Sequence, residues 1–409
     1  MSDTPAHELD VHAALAALRE QLAPVTERES MAVAGAAGRI VASDVIAGLD
    51  LPAFANAAMD GYAVRAADCQ GPTRLRVIAT ALAGHMPDAS LQAGTAVRIM
   101  TGAPLPPTAD AVVIQEDASR EGELVSFSTA VRAGQNVRPR GEHVRAGEVV
   151  LATGTALRAA EIGLAAAVGI TQVDVFRRLC VGLASTGDEL ADPPAPLAAA
   201  GSYDANRPLL ALACRTAGFS VVDLGICRDQ APEFARLIDR ARAEALDALL
   251  VSGGSALGDA DVVRQSEAVR FFPVNIRPGR GITFGDFGRQ SAQLALIGLP
   301  GNAVAAFVMF HLIALPALRH LAGGVARVPE HLPLPLAVDL TCKPGRVDYR
   351  RGRFEYDAAG ELSVRPLEQQ GSAMLRTIVE ADVLIAAGPR PRYRAGEKIL
   401  VVPLASLPR

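Results

Sequence analysis

Hydrophobic and polar positions change period several times along the chain, and each change predicts a different kind of structure. Near the start, Val11, Leu15, Leu18 and Leu22 recur at steps of four, three and four. That spacing puts them on one face of an amphipathic helix and implies a surface for the face to cover. From about Arg39 to Leu157 the texture becomes short β-type runs, "RLRVIAT", "AVRIM", "DAVVIQED" and "ELVSFS", broken by Gly and Pro, which predicts a β-rich region. From Leu179 apolar strand candidates, "LCVGLA", "FSVVDLG", "LDALLVSGG", "FFPVNI" and "QLALIGL", alternate with helical stretches such as Arg207 to Ala217 and Gln230 to Ala243. Alternation of that kind predicts a parallel sheet wrapped by helices, with ligands beyond the carboxyl ends of the strands. After about Gly323 the text turns Pro-rich and ends in "AGEKILVVPL", the mark of a small β domain. No internal repeat or low-complexity tract interrupts this order.

Length and composition narrow the class. At 409 residues the chain predicts two to four domains at about 100–200 residues each. Half the residues are apolar and 21% charged, with a formal net charge of −4; no basic footprint for nucleic acid or an anionic membrane exists. The five cysteines stand singly, without C-x-x-C or a Cys/His cluster, and are expected to be reduced thiols of a cytoplasmic protein. The polar start "MSDTPAHELD" does not have the form of a signal peptide, and no later apolar run is expected to reach membrane-spanning length. Lysine is nearly absent, at Lys343 and Lys398 only among 40 basic residues, so the basic chemistry is carried by arginine.

Candidate chemistry lies in the loops after the α/β strands: "ASTGDEL" at 184–190, "SGGSALGDAD" at 252–261 and "LPGNAV" at 299–304. Each offers small residues or N–H groups. Asn302 is a good N-cap at the start of a helix, whose free N–H groups and dipole favour an anion; strand-to-helix turns also use Gly and Asn for backbone reasons alone. The acids Glu189, Asp229, Asp259 and Asp261 all follow strand candidates. Glycine turns suit phosphate and carboxylates repel it, a conflict that a hard divalent cation resolves, because Mg²⁺ takes one or two carboxylates together with substrate phosphates. "IRPGRGITFG" sets Arg277 and Arg280 around a Pro-Gly turn, and guanidinium suits oxyanions. In the β-rich region "NAAMDGYAV" holds Asp60-Gly61, a hairpin-turn pair or a site. "RIMTGAPLPPTADAVVIQED" holds Thr101, and "RPRGEHVRAGEVV" holds Arg138, Arg140, Glu142 and His143. There is no nucleophile elbow, Walker A sequence or zinc-ligand spacing, so covalent catalysis has no support.

Taken in order, "MDGYAV", "RIMTGAPLP", "RGE", "STGDEL", "YDANR", "SGG", "RPGRG..FG" and "LPGN" resemble the molybdopterin molybdenumtransferase family, the bacterial MoeA proteins and the E domain of gephyrin, over nearly the whole chain. The resemblance implies a multidomain α/β plus β fold. Residues 1–45 with 143–178 would form a split N-terminal domain and 46–142 an inserted β-rich domain. Residues 179–325 would form a molybdopterin-binding three-layer α/β domain with a parallel-type sheet, and 326–409 a C-terminal β domain. It implies an elongated homodimer in the cytoplasm, without nucleic acid or membrane partners. Molybdopterin adenylyltransferase and downstream molybdoenzyme chaperones are implied as neighbours in the pathway.

The implied reaction splits the phosphoanhydride of adenylylated molybdopterin, releases AMP and inserts molybdate at the dithiolene sulfurs with help from Mg²⁺. Ser185, Thr186, Gly187, Ser252, Gly253, Gly254, Ser255, Pro300, Gly301 and Asn302 would hold pterin and phosphate, while Glu189, Asp229 and Asp261 organise metal and water. Arg277 and Arg280 would neutralise oxyanions. Asp60 and Thr101, with Arg138 and His143 nearby, would act from the inserted region, facing the partner's α/β domain, and Ser372 in "GSAM" would bind substrate.

This chain departs from the family pattern in four places. His143 stands where an aspartate is usual, Ala303 replaces the second proline of "LPGNP", "SALG" alters the middle of the glycine loop, and Arg277 and Arg280 replace lysines. The alternative is a paralogue that binds molybdopterin or its nucleotide form and delivers it without turnover; a gephyrin-like scaffold lacks a partner-binding linker here.

Overall fold

The computed structural model describes residues 8–87, 90–253, 262–288, 293–325, 327–388 and 390–404. Gly254, Ser255, Asp259 and Asp261 therefore lie outside the described residues. Two compact units divide the chain: one comprises Met1–Glu29, Gly38–Ile40 and Phe176–Arg409, the other Ser30–Ala37 and Val41–Val175.

The first unit opens with the helix expected from the apolar spacing, α1 (Val11–Arg19), whose N-cap Asp10 accepts from Ala13 N–H at 2.7 Å. Val11, Leu15, Leu18 and Leu22 are all buried, and they join the same apolar cluster as the sheet of the α/β domain. Six strands build that sheet: β1 (Cys180–Thr186), β2 (Ser220–Cys227), β3 (Ala248–Ser252), β4 (Val269–Pro273), β5 (Gly281–Asp286) and β6 (Ala295–Leu299), in the order β2-β1-β3-β6-β5-β4. Every residue of β3 and β6 is buried, which explains their unbroken apolar text, since a sheet covered on both faces has no polar side to alternate.

Side chains leave β3 alternately for two clusters. Ala248 and Leu250 join Leu210 and Cys214 of α2 (Asn206–Thr216) and α1; Leu249 and Val251 join Phe234, Leu237 and Ile238 of α3 (Ala231–Ala243). Helices thus cover both faces, giving the three layers expected.

The sheet is mixed rather than wholly parallel. β2, β1, β3 and β6 are parallel, but β5 runs antiparallel to both β6 and β4. The reason is local: β4 and β5 are joined within a few residues, too few for a crossover helix.

A second correction concerns the apolar run after β6. Ala303–Leu321 forms one continuous helix of 19 residues, α4, with a π turn at Phe310–Ala314. It is long and apolar enough to cross a membrane by length and composition, yet most of it is buried. Its apolar side chains, Phe310, Leu312, Ile313 and Leu318 among them, fill the core with α1 and the sheet.

The remaining part of the first unit is the expected C-terminal β structure, built on Leu332–Pro335, Val347–Tyr356, Leu362–Pro366, Val383–Ala387 and Lys398–Pro403. Its sheet takes one strand from the α/β segment: Ile276–Arg277 pairs in parallel with Val347 and Asp348. Arg277 is thereby placed at the seam between the two parts of this unit.

In the second unit a six-stranded sheet runs Ala111–Ile114, Gly61–Val64, Thr95–Ile99, Thr73–Ala81, Leu124–Phe127, Ala118–Glu121. All neighbours are antiparallel except Thr73–Ala81 with Thr95–Ile99. Gly61 is the first residue of a strand rather than part of a hairpin turn. Its backbone lies against Val113 so closely that no side chain fits between them.

Candidate active site

β1, β3 and β6 are neighbours in the sheet, and their registers place Ser185 beside Ser252 and Ser252 beside Leu299. Their following loops, picked out separately in the sequence, therefore leave the same carboxyl edge side by side. A hydrogen bond from Gly253 N–H to Leu299 O at 3.0 Å joins the second to the third, and one from Gly187 N–H to Cys227 O at 3.2 Å ties the first to the end of β2. Gly253 has φ +94°, and a Cβ there would lie 2.5 Å from Thr186 Oγ1 and 2.7 Å from Thr186 O. Only glycine lets these two loops approach this closely.

Ser185 and Ser252 are 1% and 2% exposed, so they form the floor beneath the loops. Ser185 Oγ has no hydrogen-bond partner, and the same is true of Asn302 Oδ1 and Arg277 Nη1, all buried. Buried polar atoms are nearly always satisfied. Asn302 and Arg277 line one cavity, and a polar ligand there would supply the missing partners.

Against the third of these loops opens a cavity of about 710 Å³, lined by the 277–281 turn, Pro300, Gly301, Asn302 and Ser372, with Lys343, Arg346, Asp348 and Arg350 from the C-terminal part. Arg277, Arg280, Lys343, Arg346 and Arg350 make its walls strongly basic. Arg350 is paired with Asp348 at 3.1 Å and Arg346 with Glu8. Ser372 Oγ accepts from Asn302 Nδ2 at 3.3 Å, which ties the "LPGN" turn to the C-terminal part. Asn302 is the N-cap of α4, as expected, but its side chain does not cap it. Lys343, Arg346 and Arg350 were not picked out from the sequence, because nothing marks them until the Ile276–Arg277 strand brings the two parts together.

A second group, acidic, gathers at the ends of β1 and β2. Asp188 N–H donates to Asp229 Oδ2 at 3.3 Å, and Asp229 N–H to Asp188 Oδ1 at 3.2 Å. Glu189 folds its carboxylate back over Gly187. Burial, together with the charges of Asp188 and Glu189, pushes the Asp229 carboxyl above its usual range against a hydrogen bond from Asp188. Arg228 donates to the carbonyls of Gly187, Asp188 and Leu190 at 3.2, 2.8 and 3.1 Å, holding this loop in shape.

The sequence reading also missed the use of "YDANR". Asp204 Oδ1 accepts from the N–H groups of Asn206 and Arg207 at 3.0 and 3.1 Å. Arg207, 6% exposed, pairs with Asp192, Asp204 and Asp223. Asn206 Nδ2 donates to Ser252 Oγ at 2.6 Å and to Gly301 O at 2.7 Å.

The other unit carries its own cluster. Gly102 N–H donates to Ala57 O, Ala58 N–H to Asn136 O, and Arg138 pairs with Asn56 across a short antiparallel ladder. The three motif segments at 56–61, 101–104 and 136–138 are thus one structure. Asp60 Oδ1 accepts from both the N–H and the hydroxyl of Thr101, each at 2.7 Å, and these bonds hold its carboxyl below the usual range. His143 is exposed, its N–H bonded to Leu51 O, while Arg140 pairs with Asp50.

Comparison with known proteins agrees with this layout. Family models for the MoeA N-terminal region (domain I and II), a probable molybdopterin binding domain and the MoeA C-terminal region (domain IV) match residues 9–169, 182–320 and 333–404. The molybdopterin molybdenumtransferase of Haemophilus influenzae is 34% identical over 395 residues, 95% of this chain and 96% of the relative. The chain belongs to the molybdopterin molybdenumtransferase (MoeA) family. Another similar member, molybdopterin molybdenumtransferase 2 of Mycobacterium tuberculosis, is 34% identical over 400 residues, 94% of this chain and 95% of the relative. The crystal structure of the molybdopterin biosynthesis moeA protein from Pyrococcus horikoshii superposes with a TM-score of 0.79 at 26% identity, covering 97% of this chain and all of that one. One departure from the family pattern is structurally mild: Ala303 is the first residue of α4, a position where proline is favoured but not required.

Proposed function

We propose that the chain is an enzyme of molybdenum cofactor biosynthesis, a molybdopterin molybdenumtransferase that converts adenylylated molybdopterin and molybdate into the molybdenum cofactor and AMP. The observation that carries this reading is the meeting of three glycine-bearing loops beside a basic cavity whose buried polar atoms lack partners. Family membership over nearly the whole chain supports it. A carrier without turnover is not favoured, since the similar relatives are named as transferases.

In this reading the loops at 185–189, 252–255 and 299–302 hold the pterin and its phosphate. Arg277 and Arg280, with Lys343 beyond them, neutralise an oxyanion, molybdate among them, and Ser372 supplies a hydroxyl. Water cleaves the phosphoanhydride and AMP leaves. Two Mo–S bonds form at the dithiolene while one molybdate oxygen departs as water with the two thiol protons. Asp60 and Thr101 serve the same reaction from the inserted β domain, with Arg138 and His143 beside them. The family's split N-terminal domain, a homodimer and a cytoplasmic location belong to the same proposal.

Mg²⁺ fits the acidic group. The Asp229 carboxyl is raised by burial and by its acidic neighbours, a strain that a cation relieves. Mg²⁺ takes one or two carboxylates and completes its shell with water and phosphate. Glu189 and Asp229 would hold it, joined by Asp261 from outside the described residues, and it would supply charge neutralisation at the phosphoanhydride.

The test is direct. Purified protein receives adenylylated molybdopterin, molybdate and Mg²⁺, and AMP release is followed with cofactor formation. Tight pterin binding without AMP above the no-enzyme control would sink the transferase reading.

A further inference from the structure

We propose that Asn206 is a positioning residue for this reaction, fixing the Pro300–Asn302 turn against the end of β3 so that the turn presents its ligand-facing groups at one spacing. The inference rests on the reading of the three loops as the molybdopterin cradle. Asn206 is 8% exposed and does not line the cavity, so it acts through Gly301.

Its geometry leaves little freedom. Both hydrogens of Nδ2 are used, one on Ser252 Oγ at 2.6 Å and one on Gly301 O at 2.7 Å. The Gly301 carbonyl is an acceptor only, so the amide must turn its nitrogen towards it. Asp204 holds the Asn206 backbone, and Arg207 anchors the start of α2 to Asp192 and Asp223. The bracket therefore links four segments: the segment after β1, strand β2 itself, the end of β3 and the turn before α4. The neighbouring turn residue Asn302 has an orphaned buried Oδ1, and an error in the turn's position is felt there directly.

Asn206→Asp is nearly isosteric but sets an acceptor against the Gly301 carbonyl, pushing the turn away. Molybdopterin affinity should fall about tenfold or more, the scale of one buried polar group left unsatisfied. Lowering the pH should recover part of it, because a protonated carboxyl regains one donor. Asn206→Ala and Ser252→Ala should each weaken molybdopterin binding, and the double variant should lose no more than the worse single, since the two side chains work as a unit.

A merely structural role would lower the unfolding temperature of these variants without a pH-dependent affinity or coupling. Folded Asn206 variants with wild-type affinity would overturn the proposal, as would fully additive losses. If Asn206→Ala and Asn206→Asp do not fold, Asn206→Ser, which cannot span to both partners, decides, and unchanged affinity there overturns it. Wild-type protein that fails to bind molybdopterin would instead refute the proposed function, a distinguishable result.

Discussion

Thr101 gives both its backbone N–H and its hydroxyl to a single oxygen of Asp60, each at 2.7 Å. Asp60 is thereby kept ionised to lower pH than an ordinary aspartate. A depressed folded-state value means that this contribution is complete above the unfolded value of about 3.9 and is lost as the pH falls through the lower folded value. Thr101→Val keeps the N–H bond and deletes the hydroxyl. The Asp60 carboxyl should then titrate at higher pH in a carboxyl NMR titration, and AMP release should lose its acid side at higher pH than in the wild type. Coincident titrations would separate the pair from the chemistry.

At the floor of the cradle, Gly253→Ala adds a methyl group at φ +94° against Thr186. Strain of this kind costs roughly 1–3 kcal/mol. Thermal unfolding should fall and molybdopterin binding should weaken beyond what the stability loss explains. A variant as stable and as tight as wild type would mean that the two loops separate freely.

In the cavity wall, Arg277 Nη1 is buried without a partner. Replacing Arg277 by Met removes the charge and keeps much of the length, and the KM for molybdate should rise about tenfold, roughly 1.4 kcal/mol. Arg277→Lys should recover most of it, because charge counts more than fork geometry for a tetrahedral dianion. Equal KM values for all three would remove this residue from the oxyanion site.

His143 is exposed in a loop where the family usually has an acid. His143→Asp should raise the rate of AMP release at neutral pH. No change across the pH range would make this loop a bystander.

Leu18 is fully buried between α1 and the core of the α/β domain. Leu18→Ala should cost about 2–5 kcal/mol in urea unfolding. It should leave the ratio of kcat to KM intact in the protein that remains folded; a loss under 1 kcal/mol would mean that α1 is held loosely.

Much of this was legible in the sequence. The spacing of Val11, Leu15, Leu18 and Leu22 gave the buried face of α1, and the unbroken apolar runs of β3 and β6 gave a sheet covered on both sides. The loops ending those strands could be named because Gly and Asn carry backbone demands that local text records. The antiparallel course of β5 was not legible, since "GITFGD" reads alike in either direction. The burial of the 303–321 helix was likewise hidden, because apolar text does not say whether protein or lipid will cover it.

What the sequence determined by itself was the order of β-rich and α/β stretches, the apolar faces and the glycine turns, all properties of residues near one another in the chain. What only the tertiary structure decided was which distant groups meet. Arg277 joins Lys343 and Arg350 because a short strand pairs with Val347 and Asp348, and Asn206 meets Ser252 and Gly301 because three strands lie side by side. Side-chain patterning fixes which face of an element is buried; the pairing of strands far apart in sequence fixes what stands next to it, and no local spacing encodes that.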